Sequence, residues 1–173
     1  MSKKEKLAQI VNDAKSSDST IATNAIEAFK KNGTLEQLPA FLLNGLENEN
    51  ESVQRKTRQL LFDIKDKRLI EVLFKLLSKA EFLPYQKILV AALWEANLDC
   101  SAYLEELIKL CRSADAETIV EISTVIDTLE PTFPFEEIEN YKLDLDELIQ
   151  EEPDEIRANM LGSLLFLLDE IVE

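Results

Sequence analysis

The chain has no histidine, only two cysteines, three glycines and five prolines among its 173 residues. Each shortage excludes something. Without histidine there is no His-dependent triad, no imidazole base and none of the usual zinc ligand sets. Two cysteines, Cys100 and Cys111, are too few soft ligands for a structural zinc. They also make no framework of the kind small secreted domains use. A disulfide between them is geometrically open, but reduced thiols in an intracellular, cytoplasmic protein are the simpler expectation. Scarce glycine and proline leave little punctuation for many short strands, which argues against an all-β fold. The longest apolar run, Ile88 to Trp94, is seven residues, against the roughly 20 that span a bilayer. The start, Met1-Ser2-Lys3-Lys4-Glu5-Lys6, leads into an amphipathic stretch rather than a signal-peptide core. No membrane association is expected.

Leu, Ala, Glu, Lys and Gln, all good helix formers, are abundant. The balance of 46% hydrophobic and 31% charged residues suits a folded chain. One domain of this size buries about 70% of its unfolded surface.

Charge is unevenly spread. The net charge is −15, from 19 basic and 34 acidic residues. Residues 1–112 hold 17 Lys and Arg against 16 Asp and Glu, whereas residues 113–173 hold only Lys142 and Arg157 against 18 acids. Arg55 to Lys79 is locally basic. A solvated helix face is the ordinary meaning of such runs. The sharper meaning is an acidic surface that attracts a basic partner, or the basic patch of a second copy.

Apolar residues recur at helical spacing almost throughout. Leu7, Ile10, Val11 and Ala14 form one stripe, and Ile21, Ala22, Ala25, Ile26 and Phe29 the next, with Gly33 as a stop. Thr34 and Gln37 have capping-box spacing, and Pro39 fits a helix start. Asn44 to Asn50 reads as a polar turn.

A block then repeats. Leu38-x-x-Phe41-Leu42, Leu69-x-x-Val72-Leu73, Leu104-x-x-Leu107-Ile108 and Leu145-x-x-Leu148-Ile149 lie 31, 35 and 41 residues apart. The interleaved pairs Leu60-Leu61, Ala92-Leu93, Val125-Ile126 and Leu164-Leu165 lie 32, 33 and 39 apart. Two series in step predict stacked helix pairs, in which each pair covers the apolar flank of its neighbour. The drift in spacing falls between Glu130 and Pro153. There Pro131 and Pro134 interrupt the pattern, and Tyr141, Leu143 and Leu145 alternate with polar residues.

The block Asn50-Glu51-Ser52-Val53-Gln54-Arg55-Lys56-Thr57-Arg58-Gln59-Leu60-Leu61, followed by Ile64 to Leu69, resembles a HEAT repeat. In that family an acidic turn leads into a Val-Arg-x-x-Ala helix start. Val53 matches, Gln54 stands in place of Arg, and Thr57 replaces the small Ala. The likeness covers residues 18–130 in rhythm and the middle block in identity. It implies an all-α, α-α superhelix (solenoid), a right-handed array of about five antiparallel helix pairs. The expected organisation is one domain, 1–173, with regular repeats over 1–130, an irregular connection over 131–152 and a C-terminal capping helix over 153–173.

The same resemblance implies a non-catalytic protein-binding scaffold or adaptor that recognises a partner through its concave surface. The polar positions on the second helices are the expected contacts: Gln54, Arg55, Arg58, Gln86, Lys87, Glu95, Glu117 and Glu121. Two rival expectations come with it. One is a HEAT-like nucleic-acid binder using the basic stretch 55–79, which the strongly acidic last third opposes. The other is a HEAT-like lyase of the type that attaches pigments, for which no active-site signature is present. Neither cofactor nor metal is expected. Asp144-x-Asp146 starts a calcium-loop pattern, but Ile149 stands where its glycine belongs.

Trp94 lies in the least polar helix, where core filling outweighs an interface role. The last helix spreads Met160, Leu161, Leu164, Leu165, Leu167, Leu168, Ile171 and Val172 over an arc wider than one buried face requires. Either the Phe133-Pro134-Phe135 segment folds back over it, or Leu161, Leu165, Phe166 and Leu168 contact another chain, as in a homo-oligomer.

Overall fold

A computed structural model describes residues 2–130 and 132–173. Among these residues it is helical throughout, with ten α-helices and no strand beyond one isolated bridge, Phe133 to Val172. The residues divide into two compact units, Met1–Phe82 and Leu83–Glu173.

The first unit holds α1 (Lys3–Asp13), α2 (Ser19–Asn32), α3 (Leu38–Leu46), α4 (Glu51–Phe62) and α5 (Leu69–Leu77). Helix α1 packs on α2 and α3, and both of those pack on α4. Helix starts are set by short polar side chains that accept from otherwise unpaired backbone N–H groups. Asp18 accepts from Thr20 and Ile21, and Asn50 accepts from Ser52. Helix α2 stops at Gly33, whose N–H bonds Phe29 O at 2.7 Å. The glycine is needed for space rather than for its dihedrals, since a Cβ there would lie 2.6 Å from the Phe29 ring. That ring stacks on Phe41 with centroids 4.0 Å apart. The Thr34–Gln37 pair is no capping box. The two side chains bond each other at 2.6 Å, and α3 begins one residue later with no side-chain cap.

Buried Asn48 pins the interior of this unit. Its Nδ2 donates to Ala14 O and Ser16 O, both at 3.0 Å, and its Oδ1 accepts from Asn50 N at 2.9 Å. One side chain thus satisfies three backbone groups in two turns, which is how buried loop ends avoid unpaired polar atoms.

The second unit holds α6 (Gln86–Glu95), α7 (Leu104–Leu110), α8 (Ala116–Asp127), α9 (Phe135–Glu151) and α10 (Glu155–Glu170). Helix α8 packs on α6 and α10, and α9 packs on α10 and α7. The irregular connection expected over 131–152 is instead mostly the 17-residue helix α9. Pro134 sits at the N-cap, where a missing N–H costs nothing; Pro131 lies outside the described residues. The apparent strand-like alternation was fortuitous. Ile138 and Leu145, seven residues apart, are buried on one helical face, while Leu143 is exposed.

Arg157 ties α10 to the end of α7. Its Nε donates to Ala114 O at 2.8 Å and its Nη2 to Cys111 O at 2.6 Å and Arg112 O at 3.2 Å, and it pairs with Glu152. A guanidinium among the last carbonyls of a helix satisfies orphan acceptors and the negative end of the dipole together. Cys100 and Cys111 are free, buried thiols, and burial pushes both up to about 12, so they are unreactive as nucleophiles.

Candidate recognition face on α6 and α8

Helix α6 owes its position to its apolar side, where Leu89, Val90, Ala92 and Leu93 are buried. That leaves Lys87 and Trp94, spaced i and i+7 with buried Ala91 between them, along the rim facing α8. Helix α8 is held by Ile119, Ile122, Val125 and Ile126, which turns Glu117 and Glu121 toward the same rim. Two rungs join the rims: Lys87 Nζ to Glu117 Oε2 and Trp94 Nε1 to Glu121 Oε2, each 2.9 Å. Lys87 is held above its ordinary value by the Glu117 hydrogen bond. At the foot of α8, Asp115 caps the helix and is lowered by its bonds from Thr118.

Trp94 is therefore not core filling. It is partly buried, with its indole N–H fixed by a surface carboxylate. Its turn is rigid because Asn97 adopts φ 54° and closes α6: Asn97 N–H bonds Trp94 O at 2.9 Å and Leu98 N–H bonds Leu93 O at 3.0 Å. Beyond the tryptophan the rim opens into a groove of about 470 Å³, lined by Trp94, Asn97, Asp99, Thr128 and Glu130 among others.

Of the eight sequence-predicted contacts, Lys87, Glu117 and Glu121 are brought together here, and Glu95 is exposed at the end of α6. Gln86 is corrected: it is buried, because it opens α6 on the inward side. In the first unit, Gln54, Arg55 and Arg58 share one side of α4 beside a shallow groove of about 450 Å³. Gln54 is committed internally, donating to Asn48 O at 2.8 Å. Arg58 is partly buried, and its Nε, a cation's donor, finds no acceptor among the described residues. The basic stretch 55–79 is partly neutralised, since Arg68 pairs with Asp66, Lys75 with Glu71 and Lys79 with Glu81.

The proposed self-association residues also need correction. Leu161 and Leu168 are fully buried, because they face α8 and α9. Leu165 is partly buried and Phe166 is exposed. Phe133 does fold back on the C-terminus, its N–H bonding Ile171 O at 3.2 Å and its carbonyl accepting from Glu173 N–H at 3.0 Å. Phe135 does not; it stays exposed.

A further cleft, about 700 Å³, carries no signal in the sequence. It lies at the ends of α2 and α4, lined by Phe29, Leu35, Leu60 and Ile64, with Lys30 and Asp63 paired at 2.8 Å. The Lys30 hydrogen bond lowers Asp63 from its ordinary value. It arises where two helix ends meet, and no spacing in the sequence marks it. Among the described residues no cluster of three or more His, Cys, Asp or Glu is arranged to hold a metal, and no helix is long and apolar enough to cross a membrane. Comparison with protein-family models, curated proteins and solved structures finds no match to this chain; the HEAT resemblance rests on its residues and rhythm alone.

Proposed function

We propose that the chain is a non-catalytic protein-recognition module of HEAT-like, solenoid type, which takes its partner on the α6–α8 rim around Trp94. The observation that carries this reading is the fixed tryptophan. Protein interfaces concentrate their energy in a few aromatic or Arg anchors surrounded by a polar rim. Trp94 has that setting: its side chain is partly exposed, its N–H is held at 2.9 Å by Glu121, and the charged pair Lys87–Glu117 joins the same two helices, with Glu95 exposed beside it in the sequence. An anchor already ordered before binding loses little side-chain entropy on docking. The stacking of α2 on α4, and of α6 on α8 on α10, within their units supports the repeat reading.

Affinity capture with the wild-type chain, W94A and the charge-reversed pair K87E/E117K tests the proposal. A genuine partner is retained by the wild type and lost by both variants. Because Trp94 is the single tryptophan, its emission then reports binding directly when the purified partner is titrated in. Partners retained equally by all three proteins would overturn the reading.

A further inference from the structure

Helix α10 is rich in leucine, yet its outer side leaves a phenylalanine bare among polar residues. Ala158 to Leu168 is a run of eleven residues without a charge. Leu161, Leu164 and Leu168 fill the buried line, facing α8 and α9. On the opposite line, at i, i+4, i+7, i+11 and i+15, lie Glu155, Asn159, Gly162, Phe166 and Glu170. Phe166 is 77% exposed, and Ile156 beside this line is 64% exposed. Gly162 opens a notch in the middle of the bare line, since a Cβ built there meets nothing within 4 Å.

The charge around this line says what would cover it. Carboxylates close both ends, Glu155 and Glu170. Neighbouring α9 adds the exposed carboxylates Glu136, Asp146, Glu147 and Glu151, while its Asp144 lies on the α7 side by Lys109 and Arg112. The cations carried by α9 and α10 themselves are already engaged. Lys142 is shared by Glu139 at 2.9 Å and Asp169 at 2.8 Å, and Arg157 is held by Glu152 and three carbonyls. A second copy would bring the same acidic surroundings against these, and like charges at close range repel. A cationic partner would be drawn in.

We infer that the outer face of α10 docks a basic amphipathic helix. An apolar side chain of that helix sits in the Gly162 notch against Phe166, and its lysines or arginines meet Glu155, Glu170 and the α9 carboxylates. This is a helix-on-helix recognition mode with apolar anchors and a charged rim. It does not depend on the Trp94 rim, which is built from other helices.

The test uses the full chain and an 18-residue fluorescein-labelled peptide of leucine and lysine, patterned to place all leucines on one helical face. Fluorescence anisotropy should show binding that weakens with added salt. G162L, which fills the notch in open space, and F166A should each weaken it at least tenfold. E47Q/E49Q, at exposed carboxylates of the first unit, should leave it unchanged. Far-UV circular dichroism identical to wild type shows that G162L has folded. Equal binding by G162L and wild type overturns the proposal, as does equal binding of a scrambled peptide of the same composition. A wild-type dimer that G162L renders monomeric, without peptide binding by the wild type, assigns the face to a second copy and overturns it also.

Discussion

The units Met1–Phe82 and Leu83–Glu173 are built from similar short helices but solve one problem with opposite means. The first carries 14 Lys and Arg against 12 Asp and Glu, a net +2; the second carries 5 against 22, a net −17. Each must tie a turn to a helix from a distant part of its sequence. In the first, the tie is neutral: the Asn48 amide, donating to Ala14 O and Ser16 O. In the second, it is the Arg157 guanidinium, donating to the carbonyls of Cys111, Arg112 and Ala114 while pairing with Glu152. The acidic unit thus places one of its five cations in its interior contacts. There the charge acts in a less polar medium than at the surface and offsets nearby carboxylates. Excess charge of one sign is tolerated where the scarce opposite charge is structural.

The strongest way to break this comparison is R157A. The Arg157 side chain is only 16% exposed, so truncation leaves three carbonyls and the Glu152 carboxylate without their donor. The expected loss is about 3–5 kcal/mol, read as a lower urea midpoint with an unchanged slope. Trp94 and all three tyrosines lie in the second unit, so tryptophan emission follows that unit alone. Hydrogen exchange should show the loss confined to residues 83–173. A loss of stability below about 1 kcal/mol would mean the tie is ornamental.

Two smaller losses test the first unit. Gly45 lies buried in α3, where a Cβ would come within 2.8 Å of Thr57 Cγ2 and nearer still to its Oγ1. G45A should therefore cost about 2–3 kcal/mol by overpacking, and adding T57A should recover part of it. N48A should cost about 2 kcal/mol, the penalty for stranding buried backbone groups. If N48A proved as costly as R157A, charge would not distinguish the two ties.

The all-helical class was legible because apolar residues recur at helical spacing, and burial acts on apolarity directly. Leu38, Phe41, Leu42, Leu69, Leu73, Leu104 and Leu107 are all in the core. The helix stop at Gly33 and the placement of Pro39 were legible for equally local reasons. Contacts between distant residues were not. Thr57 stands where the resembled family has a small residue, and only the structure reveals that Gly45, on the facing helix, makes room for it. Helix α9 was hidden by two prolines that precede it rather than interrupt it. Trp94 was assigned to the core from its apolar neighbours, but its own position on the wheel turns it toward Glu121. The burial of Gln86, Leu161 and Leu168 likewise depends on which side of a helix meets its neighbour, which periodicity gives only within a residue or so.

A gentler test of the charge difference is salt. Raising sodium chloride from about 0.05 to 0.5 M shortens the screening length severalfold. It should stabilise the second unit by about 1 kcal/mol through reduced self-repulsion. The first unit, close to neutral, should hardly respond. Amide exchange read separately over residues 2–82 and 83–173 makes the comparison within one molecule. Equal responses would show that the −17 is too dispersed to strain the fold.

The finest contrast is between two glycines, each inside a helix. Helix α3 needs Gly45 because Thr57 occupies the space a side chain would take. Helix α10 has no such neighbour at Gly162, where a Cβ meets nothing within 4 Å. A glycine there gives up backbone entropy on folding and gains no packing in return. G162A should therefore stabilise the chain by about 0.5–1 kcal/mol, opposite in sign to G45A. If G162A destabilised it instead, the space above α10 would have to be closed within the chain itself, and the docking face would lose its opening.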